Sequence, residues 1–331
     1  MGIERSEITV TAGLIKDCER VLVLAHEHPD GDAFGSMLGM GLMLEEAGKI
    51  VYCSWPDPIE MPGRYAFLPG RNLFTKPADI PEVDLVISVD CSNILRLKGL
   101  KRMLNGGAKV INFDHHRDNS FFGYVNIVDP EAAAVSEILY LSADELGLKI
   151  NIESALCFYT GIVTDTGRFQ FSNTSGTTLK IASEMVEMGV DPNVVYENVY
   201  QSDSLPYLRL CGNVLSNAVI DEDLGLIHGS VTQEDMRHWG VTMDEMEDLV
   251  DYLRSLKGHR IAALFKELED GSIRVSLRSR TDIDVGTIAR RLGGGGHRAA
   301  AAYTSGRRNL DEALVDLRGE IVEVGRHTGS R

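Results

Sequence analysis

The stretch His26-Glu27-His28-Pro29-Asp30-Gly31-Asp32 places an imidazole and two carboxylates on a short turn just after the apolar run Val21–Ala25. His26, Asp30 and Asp32, with Pro29 and Gly31 shaping the backbone between them, can face one centre, and such donors bind a cation. Taken alone, the pattern is equally that of a polar turn with a capping Asp. Further donors follow at wide spacing. Asp90 closes the apolar run beginning at Leu85, and Asp114-His115-His116 closes another that begins at Lys109. Asp165 ends a helical stretch, where the helix dipole disfavours negative charge unless a cation or donor compensates it. Four segments thus each offer His or Asp. Their mixed nitrogen and oxygen donors suit Mn²⁺ first, then Mg²⁺ or Co²⁺. Two such ions would activate water and stabilise an in-line displacement at phosphorus. His28 reads equally as a surface residue or as a partner of its neighbours.

A second constellation lies near the other end: Val275-Ser276-Leu277-Arg278-Ser279, followed by Gly293-Gly294-Gly295-Gly296-His297 and Ala299–Ala302. A glycine run opening onto an Ala-rich helical start can present backbone N–H groups to an anion. Arg278 can grip a phosphate bidentately, although a solvated arginine is the default for any single one.

These residues need elements to hold them. Val21–Ala25, Ile50–Ser54, Leu85–Asp90 and Val110–Asp114 read as strands with amphipathic segments between several of them, the pattern of an α/β parallel sheet covered by helices. Ligands collect outside the carboxyl ends of such strands, where His26, Asp90 and Asp114 fall. Helices are expected over Ala132–Leu146, Glu153–Thr164 and Thr177–Met188. Asp191-Pro192 and Leu205-Pro206 then break the helical pattern. The expected division is a metal-binding domain over 1–195, a linker over 196–212 and a substrate-binding domain over 213–331. In the last, Leu226–Val231, Ile261–Leu268 and Ile273–Ser279 read as strands of a smaller α+β domain, with a hairpin turn at Asp270-Gly271.

Composition narrows the function. The chain has 331 residues and a formal charge of −16, which argues against long nucleic acid as a partner. The charge is uneven: residues 1–217 hold 17 Lys and Arg against 29 Asp and Glu, whereas 254–331 hold 15 against 10. The acidic half can neutralise bound cations and the basic end can hold a small anion. No apolar run is long enough for a membrane span and no signal peptide opens the sequence, so a cytoplasmic protein with no membrane partner is expected. The myristoylation-like Met1–Ser6 lacks a second anchoring signal and reads as chance. Cys18, Cys53, Cys91, Cys157 and Cys211 form no C-x-x-C pair and read as reduced, buried thiols.

Taken together, P-D-G-D-A-x-G-S, D-H-H, T-D-T-G and G-G-G-H, in that order over nearly the whole chain, resemble the DHH phosphoesterase family with its DHH-associated C-terminal domain. The closest branch is that of nanoRNases and 3′,5′-bisphosphonucleoside (pAp) phosphatases. The resemblance implies that His26, Asp30 and Asp90 hold one Mn²⁺ and that Asp32, Asp90, His115 and Asp165 hold another. It implies that His116 faces the substrate phosphate with Asp114 behind a histidine. It also implies that Ser276, Arg278 and Gly294, Gly295, Gly296 and His297 grip the substrate across a cleft between the domains, in a homodimer. Ala302 stands where the family often has Gly, and Val135-Ser136-Glu137 replaces a common Ser-Thr-Glu. The expected substrate is a small nucleotide or short oligonucleotide. A cyclic or linear dinucleotide, polyphosphate, or a catalytically inert nucleotide-binding module are the alternatives.

Overall fold

The computed structural model describes residues 5–56, 59–246, 248–280, 283–296 and 298–328. Met1–Glu4, the start of the myristoylation-like stretch, and His297 lie outside them. The chain divides into two units, Met1–Ser202 and Asp203–Arg331.

In the first unit, helix α1 (Arg5–Asp17) leads into strand β1 (Arg20–Leu24), helix α2 (Gly31–Glu46) and strand β2 (Ile50–Ser54). Strands β3 (Leu85–Val89), β4 (Lys109–Asp114) and β5 (Val125–Val128) complete a sheet of order β2-β1-β3-β4-β5 in which every pairing is parallel. Alternate residues serve opposite faces. Val21, Val23, Ile87 and Phe113 join one apolar cluster and Leu22, Leu24, Val86 and Val110 another. Such a sheet, buried on both faces, exposes polar function only at its ends.

From β1 the chain first adds β2 on one side and then returns to add β3 on the other, so the strand order reverses between β1 and β3. Ligands bind outside the carboxyl ends of the strands at such a switch point. The register sharpens this. Leu24 pairs with Ser88 and Ser88 with Asn112, so His26, Asp90 and Asp114 each stand two residues beyond one row.

Helices α3 (Val135–Ser142), α4 (Ile152–Asp165), α5 (Gly176–Glu187) and α6 (Pro192–Tyr200) follow. Helix α2 is buried from Gly31 to Leu44 and packs on α4 through glycines one turn apart. A Cβ on Gly35 would lie 2.4 Å from the Cys157 carbonyl, and one on Gly39 would lie 2.4 Å from the Phe158 ring. On α4, a Cβ on Gly161 would stand 2.1 Å from Ser136 Oγ and 2.6 Å from Asp32 Oδ1. This seam lets the start of α2 and the end of α4 approach closely enough for Asp32 and Asp165 to share a site.

In the second unit, α7 (Leu205–Ser216), β6 (Val219–Asp221), β7 (Leu226–Val231), α8 (Gln233–Trp239), α9 (Leu249–Ser255), β8 (Ile261–Glu267), β9 (Ile273–Ser279), α10 (Val285–Arg291), β10 (Gly295–Gly296), β11 (Ala300–Ser305) and α11 (Leu310–Thr328) build a mixed sheet of order β10-β11-β9-β8-β7-β6. Two expectations change here. Pro192 and Pro206 fall in the first turns of α6 and α7, where a missing N–H costs nothing, and so they start helices. Most of 196–212 is accordingly helical. The Ala-rich stretch is strand β11, because pairing with β9 and burial of Ala301, Tyr303 and Ser305 on one face override the local helix preference of alanine.

Candidate metal centre

Asp90 lies just beyond β3 in the left-handed region, with φ +52°, which Asp tolerates better than most residues. Its N–H donates to the Phe113 carbonyl at 2.9 Å, tying the turn to β4. The carboxylate then meets three imidazoles: Oδ2 is 3.3 Å from His26 Nε2, and Oδ1 is 3.6 Å from His115 Nε2 and 3.5 Å from His116 Nδ1. Oδ1 is buried and accepts no hydrogen bond from the described residues. Three groups have ligand atoms within 4.8 Å of one another: His26 with Asp30 and Asp90, Asp32 with His115 and Asp165, and Asp90 with His115 and His116.

The two aspartates of the first motif are held differently. Asp30 caps α2, its Oδ1 accepting from the N–H groups of Asp32 and Ala33 at 3.1 and 3.0 Å. Asp32 is fully buried and carries four donors: Oδ1 accepts from Ser36 Oγ, Ser136 N–H and Ser136 Oγ, and Oδ2 accepts from Val135 N–H at 2.7 Å. Ala134, at the N-cap of α3, has no side-chain oxygen, so Asp32 caps that helix from α2.

Electrostatics shows that carboxylates are crowded here beyond what protein cations balance. Burial, with Asp30 and Asp32 nearby, pushes the Asp90 carboxyl well above the usual range. Burial does the same to Asp165, against the lowering by His115, 3.2 Å away, and with Asp32, Asp30 and Asp90 adding to the rise. His115 moves oppositely: burial would lower it, but Asp165, Asp90 and Asp32 raise it to about 9. His26 is pushed down to about 4 by burial and by Arg96. A buried site whose Asp90 and Asp165 carboxyls and His115 imidazole all shift toward the protonated form for want of positive charge fits divalent cations, and its N/O donor set fits first-row ions.

His116 is oriented from behind. Its Nδ1 is 2.7 Å from Asp114 Oδ1, and Asp114 Oδ2 accepts from Asn119 Nδ2 at 2.5 Å. Burial would raise the Asp114 carboxyl, but the bonds from His116 and Asn119 hold it below its usual range. His28 is exposed at φ +50°.

In the second unit, Ser276 and Arg278 share one face of β9 and pair with Ala302 and Ala300 of β11, while Gly295 pairs with Ala302. Arg278 is partly buried, with Nε 3.3 Å from Asp251 Oδ2. The glycine run follows the end of α10, and the next described elements are the strands β10 and β11. Gly293 and Gly294 spend their N–H groups on the Arg290 and Ala289 carbonyls. A Cβ on Gly294 would meet the Ala302 carbonyl at 2.1 Å, so this glycine serves close strand approach.

Residues 20–162 match the model of the DHH family, N-terminal domain, and residues 225–323 match the DHHA1 domain. A bifunctional oligoribonuclease and PAP phosphatase NrnA of Thermus thermophilus is 33% identical over 326 residues, 96% of each chain. Its namesake in Bacillus subtilis is 32% identical over 90% of this chain and 94% of that one. The chain belongs to the DHH family. It is therefore a phosphoesterase. Among solved structures, an exopolyphosphatase-related protein from Bacteroides fragilis superposes with TM-score 0.89 at 26% identity, covering 97% of both chains. RecJ of T. thermophilus, at TM-score 0.55 and 14% identity over 98% of this chain and 55% of that one, shares the fold.

Against the DHH signature Asp114-His115-His116, sequence reasoning passed over three participants. Asn119, three residues beyond, completes the His116–Asp114 chain. Ser136 was noticed only as a departure and turns out to hold Asp32. Arg96 lies in the 3-10 segment Ile94–Asn105 with Nη2 2.9 Å from His26 Nδ1. A polar residue shortly after D-H-H was a usable signal for Asn119. Nothing in local spacing ties Arg96 to His26, 70 residues earlier.

Proposed function

We propose that this chain is a divalent-metal-dependent hydrolase of very short oligonucleotides and of 3′-phosphoadenosine 5′-phosphate. The observation that carries the chemistry is the Asp90 carboxylate, with one oxygen in reach of His26 and the other in reach of His115. His26, Asp30 and Asp90 would hold one ion, and Asp32, Asp90, His115 and Asp165 the other, with Mn²⁺ the best match to the donors. Bound there, two divalent ions supply Lewis-acid activation of water and neutralise charge on the transferring phosphoryl group.

The protein's own residues do the rest. Asp114 accepts a hydrogen bond from His116 Nδ1, which fixes the ring and leaves Nε2 as the atom to meet the phosphate; from the doubly protonated ring, Nε2–H would give its proton to the leaving oxygen and leave the neutral imidazole. Asn119 keeps Asp114 from turning away. In the second unit, Arg278, Ser276, Gly294–Gly296 and His297 are assigned to the non-reacting part of the nucleotide. The substrate class rests on the near-full-length similarity to proteins named as oligoribonuclease and PAP phosphatase, and on the acidic balance of the chain, which disfavours long nucleic acid. The test is turnover with Mn²⁺ on pAp, a diribonucleotide, a cyclic dinucleotide and polyphosphate side by side. Preference for either of the first two supports the reading. Preference for the cyclic dinucleotide or polyphosphate replaces it.

A further inference from the structure

Arg96 is placed by backbone before its side chain acts. Asn93 caps the segment it sits on, accepting from Leu95 N–H at 2.9 Å, and the Arg96 carbonyl accepts from Glu27 N–H at 2.9 Å, which docks the segment on the His26 motif. The half-buried side chain then reaches His26, with Nη2 2.9 Å from Nδ1. The same ring atom is 2.6 Å from the Glu27 carbonyl. These contacts demand opposite things of one nitrogen. The carbonyl needs Nδ1–H, whereas the guanidinium, which only donates, needs a lone pair there.

Metal binding by His26 resolves the conflict against Arg96. With an ion held by Nε2, the atom turned to Asp90, the ring proton would sit on Nδ1 and be donated to the Glu27 carbonyl. The guanidinium then faces an N–H and needs another acceptor. Among the described residues no carboxylate lies within ion-pair distance of it. A permanent cation with a fork of donors, beside a metal ligand, in the field of Asp30 but in ion-pair contact with no carboxylate among the described residues, is complementary to an anion that arrives with the substrate.

We propose that Arg96 contacts substrate, donating to a non-bridging oxygen of the phosphate at the metal centre, and that it favours a terminal phosphomonoester over a phosphodiester. The monoester dianion carries more charge for the guanidinium to meet than the diester monoanion does. The assignment rests on the phosphoesterase reading above.

The test uses the full chain loaded with Mn²⁺ and inorganic phosphate as the probe, in wild type, Arg96→Gln and Arg96→Lys. Calorimetry should show phosphate affinity falling about tenfold or more in Arg96→Gln and less in Arg96→Lys, while Mn²⁺ affinity of the metal-free proteins does not fall. In turnover, Arg96→Gln should lower kcat/KM for pAp more than for a diribonucleotide. Unchanged phosphate affinity overturns the proposal. So does parallel loss of Mn²⁺ and phosphate binding in both variants, which would make Arg96 a support for His26. If wild type hydrolyses neither nucleotide, the functional reading fails, and the phosphate titration still decides the role of Arg96.

Discussion

With its carboxylate 3.3 Å from His26 and 3.6 Å from His115, Asp90 belongs to two of the three donor groups, whereas Asp30 belongs to one. Asp90→Asn should therefore lower kcat/KM by on the order of a thousandfold and weaken both Mn²⁺ sites, and Asp30→Asn should cost less. A reversed order in Mn²⁺ titrations of the two variants would mean that Asp90 is not the shared ligand. Protons compete for the same atoms. His115 is raised to about 9 and so holds a proton near neutrality that ligation must expel, and the Asp90 and Asp165 carboxyls are pushed up in the same sense. Mn²⁺ affinity should accordingly rise with pH from 6 to 9. Calorimetry in two buffers of different ionisation enthalpy should report proton release, and identical heats would contradict it. Asn119→Ala removes a support and no ligand. It should cut kcat about 10- to 100-fold and leave Mn²⁺ affinity nearly unchanged.

The seam between α2 and α4 is an element-scale device, because glycines there allow Asp32 and Asp165 to approach. Gly161→Ala would set a methyl against Ser136 and Asp32, and Gly35→Ala would set one against the Cys157 carbonyl, a backbone atom that cannot step aside. Alanine is the better helix former by about 1 kcal/mol, but overpacking costs about 1–3 kcal/mol, so both variants should be destabilised on balance. Gly13 of α1 has nothing within 4 Å of its would-be Cβ, and Gly13→Ala should be neutral or stabilising. Thermal melts of the three variants check this. A stabilised Gly161→Ala would show that the seam is slack. The spacing of Gly31, Gly35 and Gly39 was visible in sequence, but it marks no partner until α4 is packed against it.

At the scale of the whole molecule, metal chemistry and substrate grip should separate. Excess chelator should abolish hydrolysis, and Mn²⁺ should restore it better than Mg²⁺. Arg278→Ala should leave Mn²⁺ binding intact and cost about 1.5–3 kcal/mol in kcat/KM on a nucleotide, roughly tenfold to somewhat over a hundredfold. On a small nitrophenyl phosphate it should cost little. Arg278 already has Asp251 at 3.3 Å, so Asp251→Asn should release it and alter nucleotide KM more than kcat. Equal losses on both substrates would show that Arg278 supports the fold. Among the described residues no helix is long and apolar enough to cross a membrane.

Sequence by itself determined most of the longer strands, because runs such as Ile50–Ser54 and Ile273–Ser279 carry β-branched, apolar residues between turn signals, and it marked the chemically able residues, because His and Asp at the ends of apolar runs are conspicuous. Tertiary structure decided what each atom meets. Asp32 caps a helix 103 residues away, Asn119 holds Asp114, Arg96 reaches the His26 Nδ1 atom, and β11 is a strand despite four consecutive alanines. The reason is common to all four: local propensity and spacing act over a few residues, whereas hydrogen-bond partners and strand pairing are set by whatever packing brings alongside.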